Sequence, residues 1–237
     1  SSMKRAQLAI NSVSTKGANL EERLAAYSGA GFRHVEFVIG QIKEYLKQGH
    51  TLADVRRLLD QYQLKCIGGF ECGLECFSPA EKRQANHDLI VANAKLLAEL
   101  GGTGMVVGTD GPGAGVADPI GEMACTLNGV AKRLEGTGVT ICVEFNWSPI
   151  IKSMRTAVDL AKRSGAPNVG VLFDPAHYHC TPTKFEMITA ASVPFVKHLH
   201  MNDMSDKPGE LSNCNSDRVL PGQGCLDLRG LIGALEK

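Results

Sequence analysis

Three apolar runs in the second half of the chain each end in a side chain that can hold a metal ion. Val139–Val143 leads into Glu144, Val169–Phe173 into Asp174, and Val196–Leu199 into His200. Two carboxylates and an imidazole suit Mn²⁺, Mg²⁺, Co²⁺ or Zn²⁺, with water or substrate oxygens completing the coordination. The steps between them, 30 and 26 residues, each match one strand–helix repeat. Where such repeats close into a parallel barrel, neighbouring strand ends lie side by side on one rim, and catalytic groups gather there. A lone acid at a strand end has a plainer use as a helix cap, and Pro175 after Asp174 allows that reading too. Three successive strands ending this way favour a shared ion.

Further residues surround these. His177 stands three residues past its strand, placed to reach a substrate oxygen on the ion's open side. His198 shares a strand face with His200, one layer deeper, and is expected to hydrogen-bond rather than ligate. Glu36, within Val35-Glu36-Phe37, has two readings: facing inward it joins the substrate-binding set, and facing outward it pairs on the surface. The polar stretch Met201–Asp217 is expected to be a long loop over the site. Arg218 behind it either contacts a negatively charged or polyhydroxy ligand or fixes the loop through Asp203 or Asp217.

These side chains need a scaffold, which the alternation of patterns along the chain provides. Strands are expected at Leu8–Val13, His34–Ile39, Lys65–Phe70, Gly104–Val107, Val139–Glu144, Val169–Asp174 and Phe195–His200. Helices are expected at Leu20–Ala30, Thr51–Gln63, Ser78–Leu100, Pro119–Leu134, Ser153–Arg163, Lys184–Ala191 and Leu226–Glu236. Ser78-Pro79-Ala80-Glu81 reads as a capping box with proline at the first helical position. The nearly all-apolar runs 139–143 and 169–173 fit strands covered on both faces, as in a parallel sheet. No G-x-G-x-x-G follows the first strand and no Walker A sequence occurs, so the reading is an α/β fold, a (β/α)8 TIM barrel. The chain is taken as a single domain over 1–237. Only seven strands are counted and a closed barrel needs eight, so the eighth is expected beyond Lys237.

Composition narrows the function. Of 237 residues, 25 are Lys or Arg and 25 are Asp or Glu, so the net formal charge of zero gives no field for nucleic acid or an anionic membrane. No run approaches the length of a membrane span. Ser1-Ser2-Met3-Lys4-Arg5 is not followed by a secretory leader's apolar segment. Eight scattered cysteines, several in apolar stretches, read as reduced thiols of a cytoplasmic protein, and Cys72 with Cys76 lacks the matching pair of a zinc knuckle. Homo-oligomerisation is left open.

Glu144 at a strand end, Phe173-Asp174-Pro175-Ala176-His177, His198-Leu199-His200-Met201-Asn202-Asp203 and the run from Arg218 through Pro221, Gly222 and Gly224 to Asp227 together resemble the xylose-isomerase-like TIM-barrel superfamily. The resemblance covers essentially the whole chain. It implies one divalent ion held by Glu144, Asp174, His200 and a glutamate on the eighth strand, with His177 and Arg218 on substrate oxygens. It implies a small-molecule sugar or sugar-acid substrate, isomerised or epimerised through a metal-stabilised enediolate with Glu144 as the base. The same superfamily includes inosose and dehydroshikimate dehydratases, which leaves metal-dependent dehydration as the alternative, with a non-catalytic sugar-binding barrel as a third reading. Its endonuclease branch carries histidine ligands after the third and fourth strands. Here those places read Ile67-Gly68-Gly69-Phe70 and Val106-Val107-Gly108, which disfavours DNA repair.

Overall fold

The computed structural model describes residues 8–15 and 17–236; residues 1–5, read above for a leader, and Lys237 lie outside the described residues. The elements run β1 (Ile10–Asn11), α1 (Leu20–Gly29), β2 (His34–Val38), α2 (Ile39–Lys47), α3 (Leu52–Gln61), β3 (Lys65–Phe70), α4 (Ala80–Glu99), β4 (Gly104–Val107) and α5 (Pro119–Arg133). They continue with β5 (Thr140–Glu144), α6 (Met154–Ser164), β6 (Val169–Phe173), α7 (Pro175–Cys180), β7 (Val196–Leu199), β8 (Asp203–Met204), β9 (Arg218–Val219) and α8 (Leu228–Leu235). Strands β1 to β7 pair in parallel and in chain order. This is the sheet of a TIM barrel, seven of its eight strands being present among the described residues.

Side-chain parity along the strands decides what faces where. Odd-numbered residues such as Ile141, Val143, Val171 and Phe173 pack outward into the large core under the helices. Even-numbered Val106, Cys142 and Leu172 form a second, inner cluster with Phe70. Two positions further along the same inner face stand Glu144 after Cys142, Asp174 after Leu172, and His200 after His198. Both sheet faces are therefore covered, and the inner face turns from apolar to charged at the C-terminal end of the strands.

Helix ends follow local chemistry. Thr51 and Asp54 form a capping box at α3, Asn19 caps α1, and Asp118 caps α5 ahead of Pro119. Each such cap is worth about 1 kcal/mol. The expected box at Ser78 does not form: Pro79 occupies the cap position with no side-chain cap bond, and the Ser78 hydroxyl has no partner. Lys184–Ala191 is not an α-helix; only a 3₁₀ turn, Phe185–Met187, forms there. The Ser192 hydroxyl accepts from the Thr189 N–H and donates to the Met187 carbonyl, each at 2.8 Å, which offers this backbone bonds outside a helix. Helices α2 and α7 were not anticipated.

The stretch expected as an open loop, Met201–Asp217, begins with β8, which pairs antiparallel with β9. Buried Asp203 ties it down. Its carboxylate accepts backbone N–H groups of Gly222, Gly224, Leu226 and Met204 at 2.9–3.1 Å. Burial pushes the Asp203 carboxyl up, but these donors outweigh it and hold it below its ordinary value. A Cβ at Gly224 would run into the Met204 carbonyl and the Asp203 carboxylate, so only glycine lets the chain approach this closely. This knot explains the Pro-Gly-x-Gly spacing and sets Arg218 next to the barrel mouth.

Candidate metal centre

Asp174 divides its two oxygens between two tasks. Oδ1 accepts the Ala176 N–H at 2.8 Å and the His177 N–H at 3.3 Å, capping α7, and accepts Asn202 Nδ2 at 2.8 Å. Oδ2 faces His200 Nδ1 at 3.4 Å and Arg218 Nη2 at 3.5 Å. Capping and ligation, alternatives on sequence grounds, are compatible here. Burial raises the Asp174 carboxyl, but the hydrogen bond from His200 and the charges of His177, Arg218 and His200 outweigh it and carry the group well below the usual carboxylate range.

Glu36 faces inward and is buried among the strands. Its Oε1 accepts from His200 Nε2 at 3.0 Å and Asn11 Nδ2 at 3.3 Å, and Oε2 accepts from His198 Nε2. Burial alone would raise this carboxyl; bonds from His198 and His200 bring it down to about 2. The His200 ring thus lies between two carboxylates. Burial would lower it, but Asp174 and Glu36 together raise it to about 10.

Glu144 ends β5, and its Oε1 lies 2.6 Å from His177 Nε2, within ion-pair distance. Two groups of potential ligands result: Glu144, Asp174 and His177, and Glu36, His198 and His200, the atoms of each lying within 4.8 Å of one another. Ligand atoms across one ion are separated by up to twice the bond length, about 4.2–4.6 Å, so each group needs little movement to bind one. The expected trio of Glu144, Asp174 and His200 does not close as one group among the described residues. Asp174 joins the two halves, meeting Glu144 and His177 on one side and His200 on the other. Arg218 pairs with Asp174 and donates through Nε to the Cys214 carbonyl, while Asp217 takes Lys207 at 3.0 Å. Asn202 and Asn11 were missed as functional partners. Asn11 stands at the C-terminal end of β1, which is the signal that would have found it; Asn202 lies three residues past β7, immediately before β8.

The donor set of carboxylate oxygens and imidazole nitrogens, with Asp174 Oδ2 left over from capping, fits a divalent cation. All eight cysteines are free thiols, and no cysteine enters either group among the described residues. Raised from its ordinary 6.5 to about 10, His200 stabilises the metal-free fold fully below pH 6.5, and that contribution is lost as the pH climbs through 10. An ion that takes His200 as a ligand must therefore release about one proton at neutral pH. Calorimetric titration with Mn²⁺ in buffers of different ionisation enthalpy is expected to return that proton, with affinity rising about tenfold per unit between roughly pH 7 and 9. An affinity indifferent to pH over this range would remove His200 from the ligand set.

A parallel α/β barrel with acidic and imidazole side chains gathered at the C-terminal ends of its strands defines a metal-site barrel of the TIM type. A family model described as xylose isomerase-like TIM barrel matches residues 24–237, and the chain belongs to that family. It is 26% identical over 251 aligned residues to an inosose isomerase of Bacillus velezensis, covering 98% of this chain and 84% of that protein. It is 28% identical to a 3-dehydroshikimate dehydratase of Pseudomonas aeruginosa, over 95% of this chain and 35% of that longer protein. Among solved structures, the IolI protein with a bound zinc atom superimposes with a TM-score of 0.83 at 22% identity, over 96% of this chain and 84% of that one. No helix of the described residues is long and apolar enough to cross a membrane.

Proposed function

We propose that this protein is a divalent-metal-dependent isomerase or epimerase of a sugar or related hydroxy-ketone. The observation that carries the reading is the Glu144–His177 pair at 2.6 Å, set beside Asp174 at the end of the barrel where this fold performs chemistry. Glu144, Asp174 and His200 are the ligands in this reading, held in place by Glu36 and Asn202; Arg218 supports Asp174. A divalent ion bound there supplies Lewis-acid stabilisation of the charge that develops on a substrate enediolate. Glu144 takes the proton from the carbon next to the carbonyl, and His177, whose Nε2 lies 2.6 Å from that carboxylate, is placed beside the reacting centre. Likeness to an inosose isomerase over nearly the whole chain supports an intramolecular proton transfer. The eight free thiols support a cytoplasmic place of action.

Likeness to a 3-dehydroshikimate dehydratase favours one second reading, in which the same proton abstraction is followed by loss of a hydroxyl. Turnover of a ketose panel in D₂O with Mn²⁺ tests both. The first reading expects solvent deuterium on a carbon next to the carbonyl of recovered product. The second expects an ultraviolet-absorbing enone. Turnover with no exchange at any such carbon would overturn the isomerase reading.

A further inference from the structure

His200 has two ring nitrogens, and they are not equivalent as metal ligands. Nδ1 faces Asp174 Oδ2 at 3.4 Å, and Nε2 faces Glu36 Oε1 at 3.0 Å. A neutral imidazole carries one proton, so one nitrogen donates while the other keeps the lone pair that a metal needs. With the proton on Nδ1, the ring would donate to the one Asp174 oxygen left over from capping, and two ligand atoms would satisfy each other. With the proton on Nε2, Nδ1 and Asp174 Oδ2 stay side by side with their lone pairs free. Whatever holds that proton therefore decides whether the site is open to an ion.

Glu36 is built into the strands where it can do this. It is 4% exposed, and three donors converge on it: His200 Nε2 and Asn11 Nδ2 on Oε1, and His198 Nε2 on Oε2. The register of β2 against β3 breaks between Val35 and Glu36, and that of β6 against β7 breaks with Lys197 as the extra residue before His198. Such breaks re-aim side chains, and these two fall at the two ends of the Glu36–His198 contact. The His198 ring stands edge-on to that of His200, centroids 5.1 Å apart and planes at 79°, which fixes the ring's orientation. Glu36 is not among the described residues that line the rim cleft with His177. It borders a separate cavity of about 270 Å³ nearer the N-terminal ends of the strands, together with Thr103, Thr140, Cys142, Lys197 and His198.

We infer that Glu36 is a positioning residue that makes no contact with substrate: it keeps the His200 proton on Nε2, so that Nδ1 is the nitrogen that meets the ion. This rests on the ligand set proposed above and says which atom of His200 serves in it. The unaltered protein, labelled with ¹⁵N-histidine and loaded with ¹¹³Cd²⁺, gives the first test through one-bond cadmium–nitrogen coupling. Coupling is expected at His200 Nδ1, with Nε2 still carrying its proton. Coupling at Nε2 would mean that Glu36, His198 and His200 hold the ion themselves, and it overturns the inference, as does the absence of coupling to His200. Glu36→Gln keeps the shape but brings a donor where an anionic acceptor stood, and is expected to weaken Mn²⁺ binding by about 10–100-fold in calorimetry. Glu36→Ala joins the vacated space to the neighbouring cavity, and there formate is expected to recover most of the lost affinity while formamide of similar size does not. A Glu36→Gln variant that binds Mn²⁺ as tightly as the parent, or recovery by formamide equal to that by formate, reduces Glu36 to a space-filling role and overturns the inference. Turnover without deuterium exchange would sink the isomerase reading and leave the coupling at Nδ1; coupling at Nε2 with exchange intact would do the reverse.

Discussion

Asp174→Asn is expected to abolish measurable Mn²⁺ binding while the protein stays folded. The amide keeps an oxygen that can accept the Ala176 and His177 N–H groups, so the α7 cap survives. It loses the anionic Oδ2 that faces His200 and Arg218. Outer partners of metal ligands are worth roughly 10–100-fold in affinity, and loss of a ligand exceeds that range. Asp174→Ala removes the cap as well and is expected to cost about a further 1 kcal/mol in denaturant unfolding. Calorimetry for the metal and circular dichroism for the fold separate the two effects. An asparagine variant that binds Mn²⁺ as tightly as the parent would reduce Asp174 to a helix cap.

His177→Ala tests which side of Asp174 the ion occupies. With the ion on Glu144, Asp174 and His200, this variant retains Mn²⁺ affinity to within about tenfold, and turnover falls by about 10²–10⁴, the usual worth of a positioned proton-transfer group. Glu144→Gln loses both, because Glu144 is ligand and base together. With the ion on Glu144, Asp174 and His177 instead, His177→Ala fails to bind metal as completely as Asp174→Asn. The comparison decides between the two groups that the geometry brings together.

Much of the frame could be read from the chain alone. β3 and β4 form over the residues expected, and β5, β6 and β7 differ from expectation by a residue at one or both ends, because short, nearly continuous apolar runs bounded by glycine and polar residues leave few alternatives. The missed elements are short or context-dependent. Helix α7 has six residues; besides its own cap Asp174 it depends on Asn202, which follows β7 and accepts the Ala176 N–H. Lys184–Ala191 has helical residues, yet Thr189 and Ser192 capture its backbone.

For the site, sequence by itself determined which side chains reach the rim. Parity along a strand is a local property, so His198 and His200 share one face, and the one-repeat spacing of Glu144, Asp174 and His200 at the ends of apolar runs puts them on one rim. It left Glu36 undecided, because an acid inside an apolar run can belong to either face. Only the tertiary structure set Glu36 against two imidazoles contributed from 162 and 164 residues away. It also split the expected trio into two halves about Asp174 and gave Arg218 to Asp174 instead of Asp203 or Asp217. These outcomes depend on how far each strand advances past its neighbour, and on the breaks in register between β2 and β3 and between β6 and β7. Such shifts of about one residue, roughly 3.3 Å, exceed a metal–ligand bond, so spacing along the chain names the ligands and only the packed barrel decides which of them meet.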